Sequence, residues 1–174
     1  GTLPVQDKVY GLQLSSKDLV RRKDAKPGTT AAEEFDREHY FERPHMYEST
    51  FFEEVAPYVN VIVNGIYWDE RFPRLLTKDR IGELYEGGNR RLIAVADISC
   101  DVEGSIEFLE KSTTVENPYF EYDPLTGDVS DDITGEGVAM MGVDILPTEL
   151  PKESSMHFGN ALVPLLERLP EGEG

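Results

Sequence analysis

Two short aliphatic runs, each halted by a polar residue and separated by one helical stretch, constrain this chain more than any other feature. Val59-Asn60-Val61-Ile62-Val63 stops at Asn64-Gly65, and Leu92-Ile93-Ala94-Val95-Ala96 stops at Asp97. β-branched and aliphatic residues in near-continuous runs suit strands of a parallel sheet, whose two faces are ordinarily both covered. Between them, Thr77-Lys78-Asp79-Arg80-Ile81 reads as an N-capped helix closed at Gly87-Gly88. Strand, helix, strand is the order of a doubly wound α/β sheet.

Other segments follow the same reasoning. Val138-Ala139-Met140-Met141-Gly142-Val143 is a third apolar strand leading into Asp144-Ile145-Leu146-Pro147. Val9-Tyr10-Gly11-Leu12-Gln13-Leu14 alternates well enough for a short strand turned by Ser15-Ser16. Residues 21–50 form a polar excursion with Pro27-Gly28 and one short helix, poor in the aliphatics a core needs. Residues 120–132 read as turns, around Thr126-Gly127-Asp128. From Lys152 an amphipathic helix with Met156, Ala161, Leu162, Leu165 and Leu169 on one side, kinked at Pro164, closes the chain before a disordered acidic tail from about residue 170. Residues 1–147 thus hold this α/β pattern and 148–174 a helix leaving it.

Charge and composition exclude several classes. With 34 acidic against 17 basic residues the formal charge is −17, which repels nucleic-acid phosphates and anionic membranes. No window reaches the roughly 18 apolar residues of a membrane span. Cys100 is the single cysteine, so a disulfide framework is excluded and an intracellular setting is expected: the cytoplasm, or the mitochondrion if a targeting segment precedes Gly1. His39, His45 and His157 have no metal-ligand spacing, and no metal is expected.

In doubly wound folds ligands sit outside the carboxyl ends of the strands. The candidate positions are therefore Asn64, Gly65 and Ile66, Asp97, Ile98 and Asp101, and Val143, Asp144 and Leu146. Asp97 and Asp101 can accept from ribose hydroxyls, or Asp97 can cap its own turn. Asn64 has a donor and an acceptor for a carboxamide or ribose, although an Asn-Gly pair is more often only a turn. No G-x-G-x-x-G follows a strand, and Gly135-Glu136-Gly137 precedes one, so a diphosphate cradle, if the parent protein has one, is expected upstream of Gly1.

The run Val61-Ile62-Val63-Asn64-Gly65-Ile66-Tyr67-Trp68-Asp69-Glu70-Arg71-Phe72-Pro73-Arg74-Leu75-Leu76 resembles lysine-ketoglutarate reductase. So do Ala96-Asp97-Ile98-Ser99-Cys100-Asp101 with Gly104-Ser105-Ile106-Glu107-Phe108, and Val143-Asp144-Ile145-Leu146-Pro147-Thr148, the last in a form similar to the plant-type bifunctional enzyme. More distantly the pattern resembles alanine dehydrogenase and transhydrogenase. The resemblance implies an alanine dehydrogenase-like Rossmann fragment of an enzyme that condenses lysine with 2-oxoglutarate and reduces the product to saccharopine with NADPH. It implies that residues 1–147 are the C-terminal part of that enzyme's dinucleotide-binding domain. It implies that Gly65 and Ile66, residues 98–101 and residues 143–146 line the dinucleotide site, with Asp101 beside the nicotinamide ribose and the reacting carbon. It also implies an absent N-terminal substrate domain that holds the main proton-transfer groups and to which the closing helix returns. A saccharopine dehydrogenase domain can follow, and the chain alone is expected to be inactive. The alternative reading is a non-catalytic acidic interaction domain that keeps a nucleotide-fold remnant.

Overall fold

The computed structural model describes residues 8–25 and 35–168. The Pro27-Gly28 turn, Glu33, Leu169 and the acidic tail lie outside the described residues. At the centre are three parallel strands, β3 (Val61–Asn64), β4 (Ala94–Asp97) and β7 (Val138–Met141). Asn64 stands opposite Asp97 in the β3–β4 pair, and Ala96 opposite Met141 in β4–β7. β5 (Phe120–Tyr122) joins the far side of β7 antiparallel and β6 (Val129–Ser130) pairs with β5, giving the order β3-β4-β7-β5-β6. The chain is a mixed α/β, Rossmann-like fragment, as its pattern of strands and helices predicts. Residues 120–132, whose sequence suggests turns, hold two of its strands: Phe120, Glu121 and Tyr122 are all buried, so packing outweighs the local turn signals.

One face of the sheet is packed. Ile62, Val95, Val138 and Met140 point into a core shared with Phe108, Phe120, Ile106 and Leu109. α4 (Lys78–Glu86) sends Ile81 and Tyr85 into it, starts where the Thr77 side chain accepts the Arg80 N–H, and ends at Gly88, whose positive φ glycine alone adopts cheaply. The other face is bare. Val61 and Val63 on β3 are 54% and 71% exposed, so the two-sided cover expected of parallel strands is absent within the described residues. α5 (Pro151–Leu166) runs through Pro164 and buries none of its residues, leaving Met156, Phe158 and Leu165 in solvent. Its apolar side has no partner to pack on among the described residues.

The polar excursion folds by a route its composition hides. β1 (Val20–Arg22), which follows the single turn α1 (Ser16–Leu19), pairs antiparallel with β2 (Tyr47–Ser49). α2 (Arg37–Glu42) lies between the two strands in sequence, and α3 (Phe51–Glu54) follows β2. Here aromatic rings replace aliphatics: Tyr40 meets Tyr47 edge-on at 5.0 Å and Phe72 in a tilted pair at 5.1 Å, and Tyr47 is 2% exposed. Residues 9–14 form no strand. Val9 and Leu12 are exposed, and without a ladder partner strand propensity has nothing to act on.

Candidate functional site

Register carries β3, β4 and β7 to a common edge, and the residues that halt the first two aliphatic runs, Asn64 and Asp97, meet there. Asn64 is 2% exposed and Asp97 0%. The Asn64 Nδ2 donates both to Asp97 Oδ2 at 3.1 Å and to Ser105 Oγ at 2.9 Å, so both amide hydrogens are used inside the protein. Asp97 Oδ1 takes the Ser99 N–H at 3.0 Å and the Ser99 hydroxyl. Across the strands, the Ile98 N–H donates to the Asn64 carbonyl at 2.7 Å. Together these bonds form a bracket that ties the ends of β3 and β4 to the loop through Ser105. Asp97 caps its own turn, and the side chains of Asn64 and Asp97 are spent on each other.

What faces outward is the rim around the bracket. Gly65 and Ile98 are exposed, Ile66 and Asp101 half-buried, and Asp144 exposed beyond a buried Val143, with Leu146 half-buried after it. A side chain at Gly65 would meet nothing within 4 Å among the described residues, so none of them requires a glycine there. Its bare backbone leaves room for a group from outside.

Asp101 sits on a tight turn in which the Gly104 N–H donates to the Asp101 carbonyl at 2.8 Å. Gly104 must be glycine, because a Cβ there would lie 2.3 Å from Asp101 Oδ2 and 2.7 Å from its Cβ. Cys100 and Glu103 both adopt left-handed conformations, with φ of 49° and 53°. The Cys100 Sγ lies 3.0 Å from the Gly142 carbonyl. Burial, then the carboxylates of Asp144, Asp97 and Asp101, raise its pKa above the ordinary thiol value, so it stays a thiol instead of becoming a nucleophile. Among the described residues no group of His, Cys, Asp and Glu is arranged to hold a metal ion.

Sequence reasoning gathered Asn64, Asp97 and Asp101 at neighbouring strand ends, and missed Ser105 and Arg74. Ser105 is 2% exposed and closes the bracket, while the Arg74 Nη1 reaches the carbonyls of Glu103 and Gly104. Neither has a local signature, since each works through a contact about thirty to forty residues away. The Gly104-Ser105 pair after the second aspartate was the one available hint.

A parallel-centred sheet with Asn64 and Asp97 at the carboxyl ends of adjacent strands places the chain in the Rossmann-like class of α/β proteins. No protein-family model matches the chain. The alpha-aminoadipic semialdehyde synthase of Arabidopsis thaliana is 41% identical over 154 residues, 88% of this chain and 14% of that protein. The mitochondrial alpha-aminoadipic semialdehyde synthase of Bos taurus is 36% identical over 176 residues, 93% of this chain and 18% of that protein. A saccharopine dehydrogenase [NAD(+), L-lysine-forming] of Schizosaccharomyces pombe is 31% identical over 115 residues, 64% of this chain and 28% of that protein. The chain therefore belongs to the alpha-aminoadipic semialdehyde synthase family, as a homologue of one segment of those proteins. It spans only 14% and 18% of the length of the plant and bovine relatives.

Proposed function

We propose that this chain forms the nicotinamide side of the active-site cleft of an NADPH-dependent lysine-ketoglutarate reductase, acting within a larger polypeptide. The observation that carries the reading is the strand-end rim: Gly65, Ile66, Ile98, Asp101, Val143, Asp144 and Leu146 around the buried Asn64–Asp97 bracket, in a chain matched to a semialdehyde synthase over 88% of its length. The rim fits a nicotinamide ribose. It offers an unfilled space at Gly65, an apolar wall at Ile66 and Ile98, and carboxylate acceptors for ribose hydroxyls at Asp101 and Asp144.

When bound, the dinucleotide supplies the hydride. The chain's own residues orient and exclude. Asn64 and Asp97 hold the strand ends rigid, and Asp101 accepts a hydrogen bond from the ribose or from a site water, which makes it the catalytic candidate. Ile66 and Ile98 keep water from one side of the cleft. The substrates on this reading are lysine and 2-oxoglutarate, with saccharopine as product, and proton transfer belongs to a substrate domain outside this chain. The fungal relatives carry NAD(+) in their names. A nicotinamide dinucleotide is what these names support, and NADPH in particular is carried over from the resemblance to lysine-ketoglutarate reductase.

The same reading divides the chain into residues 1–147 as part of the dinucleotide-binding domain and 148–174 as a helix returning to the substrate domain. The unburied apolar residues of α5 and the bare face at Val61 and Val63 support it, since both need cover that other parts of a larger polypeptide can supply. A saccharopine dehydrogenase domain is the further partner. The setting is intracellular, with the mitochondrion the compartment that the bovine relative's name carries.

A chimera tests this. Residues 8–168 replace the matching segment of the Arabidopsis synthase, and NADPH oxidation is followed with lysine and 2-oxoglutarate. Turnover dependent on both substrates supports the reading. A folded chimera that binds no dinucleotide overturns it and returns the chain to the non-catalytic alternative.

A further inference from the structure

The turn that carries Asp101 is unusual in its backbone. Within residues 100–103, two non-glycine residues, Cys100 and Glu103, are left-handed. Side chains resist that conformation, and such residues persist where surrounding contacts over-determine them, which is common at functional sites. Two sets of contacts hold this turn. On the inside, the Glu103 N–H donates to the Leu109 carbonyl at 2.9 Å and the Ser105 carbonyl accepts from Leu75 and Leu76 at 2.8 and 3.1 Å. On the outside, one guanidinium nitrogen of Arg74 donates to the carbonyls of both Glu103 and Gly104.

Arg74 is itself held in place. Its guanidinium carbon lies 4.7 Å from the centre of the Trp68 ring, and that ring is fixed by the Trp68 Nε1–H donating to the Phe72 carbonyl at 3.1 Å. Glu107 approaches the Arg74 Nε at 3.7 Å. A planar, stacked guanidinium directed at two adjacent carbonyls is a geometry that a lysine ammonium does not reproduce. Arg74 thus links the segment leaving β3 to the turn leaving β4.

We propose that Arg74 is a positioning residue of this site: by holding the Glu103 and Gly104 carbonyls it fixes the left-handed turn and so sets where Asp101 projects. The inference deepens the proposed function and rests on it for the role of Asp101, while the clamp itself is tested independently. Gly104 works with Arg74, because the Asp101 side chain packs against its bare Cα.

The test is amide hydrogen exchange on the 174-residue chain, comparing wild type with Arg74→Ala, Arg74→Lys and Gly104→Ala. The Gly104 amide reports the turn, and the Val95 and Met140 amides report the core. Arg74→Ala is expected to speed exchange at Gly104 by about tenfold, the factor one charge-assisted hydrogen bond supports, with Val95 and Met140 unchanged. Millimolar guanidinium should return the slow rate where equal urea does not, and Arg74→Lys should restore it only in part. Gly104→Ala should displace the Asp101 resonances while Arg74 is intact. Unchanged exchange at Gly104, equal acceleration throughout the core, or no rescue by guanidinium each overturn the clamp. In the dinucleotide-binding chimera, Arg74→Ala should then raise KM for NADPH. A chimera that binds no dinucleotide even with Arg74 present refutes the proposed function, and the exchange rates at Gly104 then decide the clamp alone.

Discussion

Replacing Asp97 with alanine removes the acceptor on which the bracket depends. Asp97 is 0% exposed and takes one hydrogen of the Asn64 amide at 3.1 Å and the Ser99 N–H at 3.0 Å. The Ser105 Oγ still accepts the other amide hydrogen, so one buried N–H is stranded, at about 1–3 kcal/mol. Ser99 is exposed, and water compensates most of its loss, leaving about 1 kcal/mol for the loosened turn. The expected total is about 2–4 kcal/mol, a shift of about 4–16 °C in the melting temperature of a chain this size. Asp97→Asn should cost only about 1 kcal/mol: its carboxamide oxygen can keep the Asn64 N–H while its NH2 faces the exposed Ser99, whose hydroxyl can turn to accept and whose N–H water can compensate. Urea unfolding followed by the fluorescence of Trp68, the single tryptophan, measures both variants. Equal losses in the two variants, or less than about 0.5 kcal/mol for alanine, would refute the bracket.

Other consequences concern the rim and the distant sheet edge. In a dinucleotide-binding chimera Asp101→Ala should lower turnover by about 10- to 150-fold, the equivalent of about 1.5–3 kcal/mol, with the melting temperature unchanged; the reverse pattern would make Asp101 a loop support. Cys100, its pKa raised by burial and by Asp144, Asp97 and Asp101, should react with iodoacetamide near neutral pH more slowly than a free thiol, and equal or faster alkylation would contradict that environment. Burial pushes the Glu121 carboxyl up, but donors from Thr134, Gly135 and Gly137 outweigh it and leave the pKa below the ordinary 4.5. Its stabilisation is therefore complete above the unfolded carboxylate range and lost as pH falls through the lower folded value. The melting-temperature gap between wild type and Glu121→Gln should accordingly narrow below about pH 4.5, and a gap independent of pH would be the contrary result.

The parallel centre was legible because its signals are local. An aliphatic run records a buried strand, and a Thr77 cap and a Gly88 stop record a helix. What stayed hidden depends on distant partners. Residues 9–14 have strand-like alternation but no ladder, whereas residues 120–122 lie in turn-rich sequence and are drawn into the sheet by β7. The polar excursion is poor in aliphatics, and its packing is aromatic, Tyr40 against Tyr47 and Phe72. At the site, Asn64 and Asp97 could be ranked as polar strand ends. That they bond to each other follows only from the register that sets them side by side, and Ser105 and Arg74 enter only once the chain has folded back.

Hydrogen–deuterium exchange on the dinucleotide-binding chimera, with and without NADPH, tests most directly whether this rim is the nicotinamide side of a cleft. A nicotinamide seated on the rim should bring new protection to peptides covering residues 63–68, 97–104 and 142–147, with β5 and β6 unaffected. Protection confined to residues 111–133, or none in this segment while the rest of the chimera binds NADPH, would contradict it.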